Sequence, residues 1–128
     1  MNELPPQIQN QLAQLQQVQQ QAQALLQQKG QVEMMLRETE RALEELKKSP
    51  EDADVYRAAG ELLIKAKRED VLKDLDEKKD NFDVRLKSLS RQEERVQQRF
   101  NQLQDQLKQA LGKMQGAGAG AGAGPRAE

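Results

Sequence analysis

The chain has 128 residues, of which 36% are hydrophobic, 2% are aromatic and 32% are charged, and it contains no Trp. This composition excludes an ordinary globular core, which needs many large aromatic and aliphatic side chains. Twenty basic and twenty-one acidic residues leave a net charge of −1, so we expect neither a nucleic-acid partner nor a membrane surface. The apolar runs are also far too short to span a bilayer.

Catalytic chemistry is not expected either. The chain has no His and no Cys, which removes two common metal ligands and the usual neutral-pH base. Carboxylate pairs such as Glu93 and Glu94 belong to a predicted open helix, where nothing desolvates them. We therefore predict no enzyme activity, no catalytic residue, no metal site and no cofactor. Because the first residues lack the basic and apolar stretches of a signal peptide, we also predict a cytoplasmic protein.

The first predicted element is a helix over residues 6–48, in a single domain over 1–115. Pro5 and Pro6 suit the start of a helix, where a missing N–H group costs nothing. Ser49 precedes Pro50, which disfavours helical geometry and ends the element. Positions spaced alternately by three and four residues are apolar at nine of twelve places, which is typical of a coiled-coil seam; they are Ile8, Gln11, Leu15, Val18, Ala22, Leu25, Lys29, Val32, Leu36, Thr39, Leu43 and Leu46.

The second predicted element is a β-hairpin over residues 54–66. Gly60 can adopt the positive φ that a tight turn needs. An isolated pair of strands is marginal in water and has open edges, so we predict that hairpins from several chains pair with one another. The predicted assembly residues are Val55, Tyr56, Ala58, Gly60, Leu62, Leu63 and Ile64. The alternative is that this segment continues as helix, and propensity alone does not decide between the two.

The third predicted element is a second helix over residues 69–112. No Ser, Thr or Asn cap precedes Val71, which leaves the start of the helix open, and Gly112 favours its end. Residues 116–128, rich in Gly and Ala, are predicted to be a flexible tail. The second seam is apolar at eleven of thirteen positions, which are Leu72, Leu75, Lys79, Phe82, Leu86, Leu89, Glu93, Val96, Phe100, Leu103, Leu107, Ala110 and Met114.

The two seams predict one antiparallel coiled coil, because they have nearly equal length and a short connector. Thirteen Gln lie between Gln7 and Gln31, and Gln returns between Gln92 and Gln115. Antiparallel pairing brings these stretches to one end, the Gln-rich end, which we define as residues 4–15 and 103–114. An end with few charges and a widened apolar stripe favours binding of exposed hydrophobic segments, although Gln could also simply fill a neutral surface. The predicted binding residues are Leu4, Ile8, Leu12, Leu15, Leu103, Leu107, Leu111 and Met114.

Four stretches resemble the β class of the prefoldin family, of the archaeal type. They are Gln11–Gln17, Ala42–Leu46, Val55–Lys65 and Arg91–Arg95, and the resemblance covers roughly residues 4–114. Heptads alone are shared by any coiled coil. The specific part is the single hairpin between two helices of equal length, because α-class members carry two hairpins.

The resemblance implies a fold and a function. It implies a hexamer of two α-class and four β-class subunits, in which the hairpins form a β-barrel platform that carries the coiled coils. It also implies that the tips of the coiled coils capture unfolded polypeptides without ATP and deliver them to a group II chaperonin. The alternative function is a structural tether or scaffold that binds no client.

Overall fold

The computed structural model describes the backbone of residues 4–123 and the side chains of residues 4–114. It contains two long helices and one antiparallel β-hairpin, which confirms the predicted fold class. The elements in chain order are α1 (Pro6–Lys48), β1 (Val55–Ala59), β2 (Leu62–Ala66) and α2 (Arg68–Ala123).

Local chemistry explains both ends of α1. Pro6 is its first residue, a position where the missing N–H has no intrahelical partner to lose. At the other end, the Ser49 hydroxyl donates a hydrogen bond of 2.6 Å to the Leu46 carbonyl. Lys47 and Lys48 occupy the last turn, where positive charge interacts favourably with the helix dipole. The helix therefore ends directly before the Ser49–Pro50 step.

The connector is a β-hairpin and not a continuation of the helix. Val55 pairs with Ala66 at one end of the ladder, and Ala59 pairs with Leu62 at the other. Gly60 has a φ of 62°, and no non-glycine residue in the described part of the chain has a positive φ. Positive φ at the first turn position alone is the pattern of a type II′ turn, whose twist matches the flanking strands. The conformational freedom of Gly60 thus selects the hairpin.

The second helix is longer than the sequence predicted. It begins at Arg68, where Glu69 and Asp70 in the first turn favour the positive end of the helix dipole in place of a capping side chain. The predicted end at residue 112 is wrong, because α2 continues to Ala123. Gly costs about 1 kcal/mol relative to Ala in a helix but does not break it, and Ala is the strongest helix former. The predicted flexible tail is therefore helical as far as Ala123, and residues 124–128 lie outside the described residues.

By its packing the chain divides into two units. Among the described residues, the terminal unit comprises residues 4–26 and 92–123, and the central unit comprises residues 27–91. Within the terminal unit, Ile8 and Ala110 line one cleft, and Leu25 and Val96 line another. The beginning of α1 therefore pairs with the end of α2 in the antiparallel sense.

The central unit contains the second half of α1, the hairpin and the first half of α2. Thr39 and Ala42 of α1 line one cleft together with Leu75 and Phe82 of α2. Across the outside of this pairing, Lys79 Nζ lies 4.0 Å from Glu40 Oε2. This unit is thus also an antiparallel helix pair, in which the hairpin connects the two helices.

The predicted seams account for every buried side chain in the described part of the chain. Seven side chains are buried, and each occupies a position in one of the two seams: Ile8, Val18, Val32, Thr39, Leu43, Leu89 and Leu103. Thr39 is the polar member, and its hydroxyl donates a hydrogen bond of 2.9 Å to the Met35 carbonyl. Spacing by three and four residues therefore identified the core correctly, because it sets which side chains face the partner helix.

Candidate assembly and binding surfaces

The hairpin exposes apolar side chains on both of its faces. Leu62 and Ile64 lie on one face of β2 and Leu63 lies on the other, because strand side chains alternate. Leu62 is 66% exposed and Leu63 is 72% exposed. The sheet has two strands, so both outer edges of the hairpin present backbone groups that can pair with further strands.

All of the predicted assembly residues lie in this hairpin. Their surroundings differ little, and only Val55 is partly covered. Tyr56, Ala58, Gly60, Leu62, Leu63 and Ile64 are exposed, and Val55 is half-buried. Such a concentration of exposed apolar side chains on a short β-sheet is typical of a protein interface.

Ion pairs attach the hairpin to its neighbours in the central unit. The Arg57 guanidinium of β1 forms a salt bridge with the Asp74 carboxylate of α2. At the base of the hairpin, Lys65 Nζ lies 3.4 Å from Asp54 Oδ1. All four side chains are substantially exposed, so each pair contributes at most about 1 kcal/mol. The Arg57–Asp74 pair biases the orientation of the hairpin relative to α2 more than it stabilises the fold, and the Lys65–Asp54 pair lies within the base of the hairpin.

Arg68 makes the stronger connection between the helices. Its Nη2 donates a hydrogen bond of 2.7 Å to the Leu46 carbonyl and one of 3.2 Å to the Ser49 carbonyl. A longer contact of 3.4 Å reaches the Lys47 carbonyl. The last carbonyls of a helix have no intrahelical donors, and the positively charged guanidinium is a strong hydrogen-bond donor to them. The first residue of α2 therefore caps the end of α1.

At the Gln-rich end, the eight predicted binding residues fall into three groups. Leu4, Leu12 and Met114 are exposed, whereas Leu15, Leu107 and Leu111 are half-buried. Ile8 is only 3% exposed and Leu103 only 1% exposed. The structure therefore places these last two side chains between the helices, where they stabilise the pairing and present no surface to a ligand.

A cleft of about 490 Å³ opens at this end between α1 and α2. Its size is within the range of small-ligand sites in proteins. Side-chain amides and apolar groups share its walls, and Lys113 is the one charged residue among those that line it. The lining residues are Pro5, Gln7, Ile8, Gln11, Gln106, Gln109, Ala110, Lys113 and Met114.

Three further exposed apolar residues in the highly charged part of the sequence had no signal in the seam pattern, namely Met34, Met35 and Val84. Met34 is 61% exposed and Val84 is 64% exposed, and both lie on outer helix positions in the highly charged part of the sequence. The high density of charged residues in this part of the chain predicts a solvated helix surface, so exposed apolar side chains are not expected there.

The described residues contain neither a cluster of metal-ligand side chains nor a membrane-spanning helix. They contain no group of three or more His, Cys, Asp or Glu side chains that could hold a metal. Neither described helix is both long and apolar enough to cross a bilayer. The hairpin and the Gln-rich end are the candidate surfaces, because exposed apolar side chains are concentrated there.

Comparison with known families identifies the origin of this architecture. The sequence model of the family described as "Prefoldin subunit" matches residues 9–114, which include the whole hairpin and, apart from Ile8, both helix seams. The chain belongs to the prefoldin family. Prefoldin subunits are chaperone components that assemble with other prefoldin subunits, and this chain has that general role.

Prefoldin relatives in archaea are similar over most of their length. Prefoldin subunit beta of Methanocella arvoryzae is 81% identical over 97 residues, which cover 76% of this chain and 77% of that protein. Prefoldin subunit beta of Archaeoglobus fulgidus is 56% identical over 97 residues, which cover 76% of this chain and 84% of that protein. The predicted resemblance to β-class prefoldin is confirmed.

Solved prefoldin structures support the same conclusion. The crystal structure of the prefoldin beta subunit from Thermococcus strain KS-1 matches with a TM-score of 0.79 and 39% identity, covering 87% of this chain and 97% of that one. The prefoldin beta2 subunit from the same strain matches with a TM-score of 0.64 at 14% identity, covering 71% of this chain and 97% of that one. At that identity the second match shows a shared fold alone.

Proposed function

We propose that the chain is a subunit of an ATP-independent holdase chaperone, which captures unfolded polypeptides at the Gln-rich end and passes them to a group II chaperonin. The observation that carries this proposal is the position of the exposed apolar side chains. Many of them lie on the hairpin or at the Gln-rich end, and these two surfaces belong to different units of the chain. Different surfaces are thus available for assembly and for client binding.

The hairpin is the proposed assembly element. Its two open edges can extend into a larger sheet, and pairing would cover Leu62, Leu63 and Ile64, which water otherwise surrounds. The proposed complex contains two α-class and four β-class subunits, with the hairpins forming a β-barrel platform that removes open edges. Family membership and the open hairpin edges both support this arrangement.

The proposed client-binding residues are Leu4, Leu12 and Met114, with smaller contributions from the half-buried Leu15, Leu107 and Leu111. Full burial of one such side chain against a client contributes about 1.5–3 kcal/mol. Part of that free energy is spent on ordering the client and the helix ends. A single subunit should therefore bind weakly, and several subunits in one complex should bind more tightly through their high effective concentration.

The site of action follows from the proposed role. A subunit that passes clients to a chaperonin must share its compartment, and we propose that this compartment is the cytoplasm. No step in capture by burial of apolar surface needs nucleotide, metal or cofactor, so we propose that none takes part.

Substitution of exposed side chains tests client capture without shortening the chain. The variant Leu4→Ser, Leu12→Ser, Met114→Ser removes apolar surface at the Gln-rich end. The matched control is Leu26→Ser, Met34→Ser, because these two residues are also exposed apolar helix residues. Each is assembled with an α-class partner and assayed for suppression of aggregation of a chemically denatured test protein.

We expect the Gln-rich-end variant to lose most of its protection and the control to keep it, with both complexes at wild-type mass. Deletion of residues 1–12 and 108–128 should abolish protection, whereas removal of the residues after Met114 should have a much smaller effect. Full protection by the double deletion would exclude the Gln-rich end as the capture site. A wild-type complex that assembles yet protects no client would favour the alternative of a structural tether.

A further inference from the structure

We propose that the cleft in the Gln-rich end binds the backbone of an extended apolar peptide, and that the side-chain amide of Gln11 pairs with one of the peptide groups of that segment. This inference rests on the proposed function, which supplies an unfolded polypeptide as the ligand. It adds a specific recognition element to capture by apolar contact, since it assigns a hydrogen-bonding role to a residue of the helix seam.

Gln11 is a polar residue at a seam position, where its neighbours in the pattern are Ile8 and Leu15. Its Oε1 atom is buried and has no hydrogen-bond donor among the residues that the structure describes. A buried acceptor without a donor is unfavourable for folding, because it has lost its hydrogen bonds to water. An apolar residue at this position would stabilise the helix pair, so the amide is explained better by binding than by stability.

The surroundings of Gln11 match a peptide better than other ligands. Ala110 and Met114 supply apolar surface to the cleft, and three further amides line it, those of Gln7, Gln106 and Gln109. A primary amide carries both a donor and an acceptor, as a peptide group does, so the two can pair in a complementary way. Every residue of an unfolded chain except Pro has both the N–H and the carbonyl, which makes the recognition largely independent of client sequence.

The amide can reach a ligand without movement of the backbone. The last torsion of a Gln side chain has a broad energy minimum, and Gln11 itself lines the cleft. Rotation about this torsion exchanges a buried, unpaired oxygen for one that accepts a hydrogen bond from a peptide N–H. Since Lys113 is the one charge among the lining residues, the cleft should select uncharged, apolar segments.

The test uses two substitutions and two peptides. Gln11→Leu removes the amide from the cleft, and Gln16→Leu makes the same change at an exposed position of α1 that does not line it. The probe is an acetylated and amidated eight-residue peptide of alternating Leu and Gly, and the second probe is the same peptide with N-methyl groups on its central residues. Binding is measured on the complex assembled with an α-class partner, together with its thermal unfolding.

We expect Gln11→Leu to raise the unfolding temperature and to weaken binding of the unmodified peptide about five- to tenfold, which is the effect of one lost hydrogen bond. N-methylation should weaken binding to the wild type by a similar factor and should have little further effect on Gln11→Leu, because both changes remove the same hydrogen bond. Gln16→Leu should behave as the wild type. A variant that lacks residues 1–3 should also bind as the wild type, and a several-fold gain would assign the cleft to the chain's own first residues and overturn the proposal.

Equal or tighter peptide binding by Gln11→Leu would overturn the inference, and so would N-methylation that weakens both proteins equally. The proposed function is tested separately by protection of a denatured client. If the wild type protects the client while Gln11→Leu and N-methylation have no effect, the inference fails and the proposed function stands. If the wild type neither protects a client nor binds the peptide, both fail.

Discussion

Replacing Arg68 with Ala should destabilise the chain by about 2 kcal/mol. The guanidinium donates hydrogen bonds to the carbonyls of Leu46 and Ser49 at 2.7 and 3.2 Å. Hydrogen bonds to a charged group contribute roughly 1.5–3 kcal/mol, and a positive charge at a helix C-terminus adds about 0.3–1 kcal/mol. Because Arg68 is half-buried and not fully buried, the expected total lies in the lower part of the combined range.

The position of Arg68 separates its contacts with α1 from its effects on α2, because the two change stability in opposite directions. As the first residue of α2, its positive charge is unfavourable for the dipole of its own helix, and Ala has the higher helix propensity. Both effects would make Arg68→Ala stabilising if the contacts with α1 did not matter. Lys67→Ala removes an adjacent, exposed positive charge and is the matched control, with an expected change within about 0.5 kcal/mol. Arg68→Lys should recover part of the loss, because Lys keeps the charge and a donor group but on a side chain of different shape.

Urea unfolding followed by helix circular dichroism measures the effect. A loss of about 2 kcal/mol should lower the midpoint by roughly 1 M at an unchanged denaturant slope. Arg68→Ala that unfolds at the same urea concentration as Lys67→Ala would refute the inference that Arg68 caps α1.

Three further predictions concern single features of the fold. Gly30→Ala should stabilise the chain by about 0.5–1 kcal/mol, since nothing lies within 4 Å of the added Cβ. Gly60→Ala should destabilise it by about 1–2 kcal/mol, because φ is 62° there. Thermal unfolding that ranked the two variants in the opposite order would contradict both assignments. Thr39→Val should be neutral or stabilising by up to about 1 kcal/mol, because the hydroxyl bonds a carbonyl of its own helix, and a clear loss in denaturant unfolding would show that the hydroxyl has a further partner. Cysteines at Leu15 and Leu103 should cross-link within one chain, which has no native Cys, and cross-links found only between chains by denaturing electrophoresis would exclude the antiparallel pairing.

The elements that could be predicted from the sequence are those with local causes. The spacing of apolar residues predicted both helices. It also identified the positions that face the partner helix, including the buried Leu43 and Leu89. The hairpin followed from Gly60, because positive φ is a property of one residue. Its competitor, a continuous helix, could be excluded only by the observed strand pairing, since helix propensity tolerates that segment.

The features that escaped prediction depend on contacts distant in sequence or on small energy differences. Arg68 contacts a carbonyl 22 residues earlier, and no periodic pattern indicates such a contact. The end of α2 depends on a small difference in helix propensity between the Gly and Ala residues of one segment. The predicted end at residue 112 is therefore too early. Ile8 and Leu103 were expected to be accessible because they lie near helix ends, but their seam positions bury them. Proximity to a helix end does not by itself expose a side chain.

The central claim is that the hairpin assembles the complex while the helix pair serves the client. The most direct test is the mass of the complex formed by Leu62→Asp, Ile64→Asp with an α-class partner, measured by light scattering. The account predicts smaller species with wild-type helix content, and a complex of full mass for the control Leu26→Asp, Met34→Asp, whose residues are similarly exposed. A complex of wild-type mass formed by the hairpin variant would contradict the account, because assembly would then not depend on the surface that the structure leaves exposed.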